Sequence, residues 1–187
     1  FGFKRIFGTE PNKDLLIDFL NQLFSVKKVP THNKITDITY LPTEQLGEIP
    51  IERNAIFDIY CETDTGEKVL VEMQRAKQKY FKERSIYYST HPIRNQAPKG
   101  DWDFNFSAVY TISILDFTLE ETADDASYYH HKVQLMETDR KTTWTDKLTY
   151  IYLEIPKFVK TEDELTNNFE RWLFVIRNLH KFENRPE

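Results

Sequence analysis

Apolar residues at Leu15, Leu16, Phe19, Leu20 and Leu23 recur at the three- and four-residue spacing of one helix face. Thr9-Glu10-Pro11, just ahead, offers an N-cap and a proline near the first helical position, so the spacing predicts an amphipathic helix of about three turns. The pattern then changes. Ile35 to Leu41 reads as a strand stopped by Pro42, and after a polar connection Ala55 to Glu62 and Lys68 to Gln74 read as two more. From Ala76 to about Thr90 the chain is polar, with Tyr80, Phe81, Arg84, Tyr87 and Tyr88 at helical spacings, and Pro92 is expected to end or kink that helix. Asn105 to Leu115 is rich in β-branched and aromatic residues, as in a largely buried strand. Ser127 to Glu137 and Lys147 to Ile155 alternate as further strands, and Glu162 to Lys181 reads as a last helix ending in Arg177, His180 and Lys181. The order α-β-β-β-α-β-β-β-α predicts the α/β class. No repeat, low-complexity tract or linker divides it, so one domain over residues 1–187 is expected.

Two acids interrupt the pattern, Asp58 and Glu72, each at an otherwise apolar strand position. Between them Asp64-Thr65-Gly66, with glycine third, suits a three-residue hairpin loop ending in a left-handed residue. Thr63 then faces Glu67, each position i faces 130 − i, and Asp58 falls directly across from Glu72. Side chains so opposed have Cβ atoms about 5 Å apart, and two like charges at that distance repel. Such a pair is either a solvent-facing charged pair or a site bridged by a cation. Ile56, Phe57, Leu70 and Val71 surround both acids, so neither strand offers a clean polar face on which these charges would be routine. Oxygen ligands without thiolate or imidazole point to Mg²⁺ or Mn²⁺. Gln74 lies two residues beyond Glu72 on the same face. It is either a hydrogen-bonding amide at a sheet edge or a group that orients water or a phosphate oxygen.

Asp58, a turn, then Glu72-Met73-Gln74 resembles the PD-(D/E)XK nuclease superfamily, whose core is an acid on one strand and (D/E)-x-K on the next. Phe3-Lys4-Arg5-Ile6-Phe7-Gly8, followed by Asn12-Lys13-Asp14-Leu15-Leu16-Ile17-Asp18-Phe19-Leu20-Asn21, is similar to the start of its recombination-promoting nuclease branch, often labelled PD-(D/E)XK family transposase. That branch typically writes its third motif as E-x-Q, and Arg84, Tyr87, Tyr88 and Ser89 match it too. The resemblance is close over roughly the first two thirds of the chain and looser beyond. It implies a restriction-endonuclease-like mixed sheet flanked by helices, and metal-dependent hydrolysis of DNA phosphodiester bonds in recombination, mobile elements or defence. On this reading Asp58, Glu72 and Gln74 are catalytic, Asp58 and Glu72 hold the metal, and the Met73 main-chain carbonyl completes its shell. Relatives often add an acid from the first helix; Glu10, Asp14 and Asp18 are available, Glu10 first by its place before the helix. Gln74 replaces the lysine that usually helps activate water, and Lys77 and Lys79 are the nearest lysines that could restore its charge. The branch often continues beyond the last helix, so a further C-terminal part is expected.

Composition changes this picture in two places. With 25 Lys+Arg against 30 Asp+Glu, the net charge of −5 gives no global attraction to nucleic acid. Any DNA contact must be local, and Arg75, Lys77, Lys79, Lys82 and Arg84 form either such a patch or a solvated helix face. Arg84 and Tyr88, one helical turn apart, either bind phosphate or form a stacked pair holding the helix to the sheet. The single cysteine, Cys61, is expected in the core and rules out an internal disulfide. No apolar run approaches the ~20 residues of a membrane span and no signal peptide is visible, so a cytoplasmic protein is expected.

The remaining motifs exclude rather than propose. His130 and His131 are adjacent in a predicted strand and point to opposite faces, and His32, His91 and His180 have no partner at ligand spacing. There is no Gly-rich phosphate loop, nucleophile elbow or Cys/His zinc pattern. Two readings stand: a Mg²⁺- or Mn²⁺-dependent DNA endonuclease, with a homodimer attractive for double-strand cutting, and an inactive nuclease-fold module that binds DNA or protein, which Gln74 and the acidic net charge favour.

Overall fold

The computed structural model describes residues 2–27, 34–45 and 55–182. Its strands are β1 (Ile38–Tyr40), β2 (Glu44–Gln45), β3 (Ala55–Ile56), β4 (Ile59–Thr63), β5 (Lys68–Gln74), β6 (Val109–Leu115), β7 (His130–Gln134), β8 (Met136–Glu137), β9 (Thr142–Thr143) and β10 (Leu148–Glu154). The α-helices are α1 (Gly2–Phe7), α2 (Lys13–Lys27), α3 (Phe81–Arg94), α4 (Asn168–Arg177) and α5 (Leu179–Phe182). Six strands form one mixed sheet in the order β1-β4-β5-β6-β10-β7. Its centre, β5-β6-β10, is parallel, and the outer pairings are antiparallel. β2-β3 and β8-β9 are separate two-stranded ribbons.

The two-residue alternation of the strands sorts the core into two layers. On one face Cys61, Val69, Val71, Ile112, Ile114, Ile151 and Leu153 pack against Leu16, Phe19, Leu20 and Leu23 of α2 and Phe169, Leu173 and Ile176 of α4. On the other, Tyr60 and Leu70 meet Phe57 and Tyr88, while Leu115, Tyr150 and Tyr152 meet Phe81 and Leu119. α3 covers this second face. Ser85 and Ser89, one turn apart, share hydrogen bonds of 2.8 Å with the buried hydroxyls of Tyr152 and Tyr150, which fixes the rotation of α3 on the sheet. Arg84 and Tyr88 are thereby turned toward β4 and β5.

Several predicted boundaries move for local reasons. The first helix begins after a 3-10 turn at Glu10–Asn12, and Thr9 makes no side-chain cap. It is also preceded by α1, which the sequence pattern did not predict. The predicted strand from Ala55 to Glu62 is broken at Phe57 and Asp58, because the Phe57 N–H turns away to donate to the Thr43 carbonyl (2.9 Å). α3 starts at Phe81 rather than Ala76, since Tyr80 is held left-handed at φ 59. It runs past Pro92, which sits in its last turn. Residues 105–108 lie outside β6. The expected last helix is divided: Asn167, extended at φ −150, caps α4 by accepting from the Glu170 N–H (2.9 Å), and only a 3-10 turn, Glu162–Glu164, precedes it.

Candidate active site

The β4–β5 hairpin has the expected register. Ile59 pairs with Val71, Tyr60 with Leu70, Cys61 with Val69 and Glu62 with Lys68. The loop closes through Thr63 N–H to Glu67 O (3.0 Å) and Gly66 N–H to Thr63 O (2.9 Å), with Gly66 at φ 92, where glycine alone is unstrained. One pair further, Asp58 falls opposite Glu72, but there the strands fork. β4 ends as its chain bends toward Thr43, while β5 continues on β6 through Glu72, Met73 and Gln74, opposite Ser113, Ile114 and Leu115. The Met73 N–H would lose its partner at the fork. Asp58 Oδ2 accepts it at 2.8 Å, which pins this carboxylate beside the end of β5.

Glu72 and Gln74 point to the α3 side and are both buried. Gln74 Nε2 donates to Glu72 Oε2 at 2.8 Å, and Arg84 Nη2 lies 3.5 Å from the same oxygen. The Arg84 guanidinium also sits 5.0 Å above the Tyr88 ring and donates to Gln78 Oε1. Burial pushes the Glu72 carboxyl up to about 7, and the charge of Asp58 adds to the shift; Arg84 and the Gln74 amide oppose it without cancelling it. Glu72 is therefore a buried acid with too little positive charge around it. Two carboxylates and the strand carbonyls at a fork are hard oxygen donors, the set that suits Mg²⁺ or Mn²⁺ with water completing the shell. Among the described residues no group of three or more His, Cys, Asp or Glu could hold a metal, so the protein acids here number two.

Other expected site residues fall elsewhere. Glu10 lies on the far side of the sheet: its carboxylate is 3.7 Å from Lys13 Nζ, which in turn is 2.9 Å from Asp37, in the layer of α1 and α2. Asp18 accepts from the Trp172 indole at 2.7 Å, between α2 and α4. Lys77 pairs with Glu120, Lys82 with Glu121 at 2.6 Å, and Lys79 lies 5.0 Å over Tyr80, so neither lysine named for the missing charge reaches Glu72. The cation that does is Arg84. Tyr88 packs edge-on against Phe57 at 5.3 Å, so Arg84 and Tyr88 form the stacked pair and also adjoin the acids. Cys61 is buried, and desolvation pushes its thiol up to about 12. His32 lies outside the described residues.

A cavity of about 390 Å³ opens at the same end of the sheet but on the opposite face, lined by Phe3, Met73, Arg75, Asp116 and Arg177 among others, so the acids do not line it. Sequence reasoning missed Gln78, Glu120 and Glu121, whose partners are 6, 43 and 39 residues away. It also missed Glu154, an acid at the end of an apolar strand, which is the signal that singled out Glu72.

No helix among the described residues is long and apolar enough to cross a membrane. No curated protein and no solved structure matches the chain. The family model described as PD-(D/E)XK nuclease family transposase matches residues 1–187, and the mixed sheet with its forked acidic hairpin is the restriction-endonuclease-like arrangement expected of it: the chain belongs to this family.

Proposed function

We propose that the protein is a metal-dependent DNA endonuclease whose centre is Asp58, Glu72 and Gln74. The observation that carries this reading is the state of Glu72: buried, opposite Asp58 and pushed up to about 7, it favours the arrival of a cation. Asp58 and Glu72 would hold Mg²⁺ or Mn²⁺, with the Met73 main-chain carbonyl as a further ligand. When bound, such an ion lowers the pKa of its water and neutralises charge on the leaving oxygen. The chain's own residues do the positioning. The Met73 N–H fixes Asp58, and the Gln74 amide fixes Glu72 while remaining close enough to orient water or a phosphate oxygen. Gln74 carries no charge, but Arg84 brings a permanent cation to the same carboxylate and could meet the scissile phosphate, with Tyr88 supporting its guanidinium. Lys79, which meets no acid among the described residues, is suited to the flanking backbone, with Lys77 beside it, whereas Arg75 lines the cavity on the opposite face.

A second reading, a module that binds DNA or protein without cutting, is favoured by Gln74 in place of the usual lysine. A plasmid-nicking assay separates the two. The enzyme reading expects nicking or linearisation with Mg²⁺ or Mn²⁺, none with EDTA, and none for Asp58→Ala or Glu72→Ala in samples that remain folded. Inert wild type on supercoiled, linear and single-stranded DNA, with DNA or protein binding retained, would establish the binding module instead.

A further inference from the structure

We propose that Glu120 and Glu121 are specificity-determining residues that mute the basic segment beside the acids, so that the site rejects DNA held by backbone charge alone. The inference rests on the DNA reading above. Of the five cations in residues 75–84, three already meet an acid: Lys77 with Glu120, Lys82 with Glu121 and Arg84 with Glu72. Tyr80, at φ 59, reverses the chain between the two lysines, so that both line one groove with Glu120 and Glu121. Both lysines act on Glu121, holding its carboxyl below the usual range, the Lys82 bond foremost.

The acids are not on a loose loop. Leu119, just before them, is buried against Phe81, Tyr150 and Tyr152, and its N–H donates to Glu154 Oε2 at 2.7 Å. Thr122, just after, donates to Glu154 Oε1 at 2.8 Å, and its carbonyl accepts from Lys157. A buried carboxylate therefore anchors both ends of the 3-10 turn Glu120–Thr122, and the two acids are presented at a fixed place. Their ion pairs are solvent-exposed and weak individually, so a phosphate backbone can displace them. The negative charges stay where they are, and any bound strand must tolerate them. Only a ligand with enough contacts elsewhere, at the acids and at Arg84, gains by binding.

The test compares four proteins on a fluorescein-labelled duplex of about 20 bp, by anisotropy across about 50–300 mM KCl, in EDTA and again with Ca²⁺. They are wild type, Glu120→Gln/Glu121→Gln, that variant with Lys77→Gln/Lys82→Gln added, and Asp101→Asn/Asp139→Asn. The last removes the same net charge at exposed acids away from the groove. Freeing two lysines is expected to tighten binding on the order of tenfold at low salt and to steepen the salt slope by up to about 1.8. Adding the lysine substitutions should remove this gain, and the Asp101/Asp139 control should show little of it. Wild type that binds together with an unchanged Glu120→Gln/Glu121→Gln variant overturns the inference and leaves the DNA reading intact, as does a control that gains equally. If none of the four binds, the DNA reading falls and takes the inference with it. Binding that appears only in the Glu120→Gln/Glu121→Gln variant supports both.

Discussion

Glu72 and Glu154 are two buried carboxylates on the same face of one sheet, near the same end. The parallel register sets Glu72 and Tyr152 on either side of Ser113, and Gln74 and Glu154 on either side of Leu115. Their surroundings differ completely. Glu154, with no exposed surface, accepts from the Leu119 N–H and the Thr122 hydroxyl, and has His131 Nε2 at 2.5 Å and Lys157 Nζ at 3.1 Å. Burial would raise its pKa, yet these bonds outweigh burial and hold it below the usual range. Glu72 has one amide bond, an arginine at 3.5 Å and a second carboxylate opposite, and it is pushed up to about 7. A buried charge with its partners supplied by the fold is a fastening, whereas one left under-compensated is a site prepared for a partner the fold does not supply.

The contrast makes opposite predictions for removing each acid. Glu154→Ala should destabilise the protein by roughly 3–5 kcal/mol, because it strands Lys157 in the interior and releases the 3-10 turn Glu120–Thr122. Urea unfolding measures this, and a loss below about 1 kcal/mol would erase the distinction.

Next in size is the response to metal. Bringing a divalent cation to Asp58 and Glu72 removes the repulsion that the fold leaves in place. At a hundredfold excess over Kd, Mg²⁺ or Mn²⁺ should add ~2.7 kcal/mol, or about 5–10 °C in Tm for a chain of this size. Asp58→Asn should not respond. Thermal melts with and without the ion measure this, and equal shifts in both proteins would place the bound ion elsewhere.

Glu72→Gln should have the opposite sign to Glu154→Ala. The Glu72 carboxyl rises from an ordinary 4.5 to about 7, so the folded state holds a proton there that the unfolded chain has released. Stability is therefore lost as pH rises through that window; the penalty is absent below 4.5 and complete above about 7. Without metal, Glu72→Gln should be more stable than wild type by on the order of 1 kcal/mol at pH above 7, with the difference vanishing toward pH 4.5. Denaturant titrations at several pH values would show it; a pH-independent difference would mean that burial leaves the Glu72 carboxyl unshifted, and a difference of opposite sign that it is compensated as Glu154 is.

How far the sequence revealed this follows from what each signal encodes. The hairpin was legible because glycine third in a short loop fixes the register, and a register once fixed assigns every facing pair. The fork was not, since it depends on Phe57 bonding to Thr43, fourteen residues upstream, a pairing that no local period announces. Glu72 and Glu154 carry the same local signal, an acid near the end of an apolar strand, and only their distant partners tell them apart. Lys157 lies only three residues on, but His131, Leu119 and Thr122 reach Glu154 from 23 to 35 residues away, which no spacing rule connects. The pairing within the basic segment was hidden for the same reason: its charges were visible, but the acids that answer Lys77 and Lys82 come after the whole of α3 and β6.

The smallest predicted effect is at Arg84, and it tests whether this side chain belongs to the fastening or to the site. As a fastening, its stack on Tyr88 and bond to Gln78 are partly exposed contacts, and Arg84→Ala should lower stability by about 1 kcal/mol or less. As a site residue, it is one of the two groups restraining the rise of Glu72, so its loss should move the pH midpoint of metal-dependent stabilisation upward. It should also flatten the salt dependence of DNA binding by about one phosphate contact. Arg84→Lys sharpens the choice, because lysine keeps the charge but not the planar fork or the stack. If Lys restores the metal midpoint and the salt slope without restoring the lost stability, charge at Glu72 is what Arg84 contributes; if stability returns and the other two do not, Arg84 serves the packing of α3.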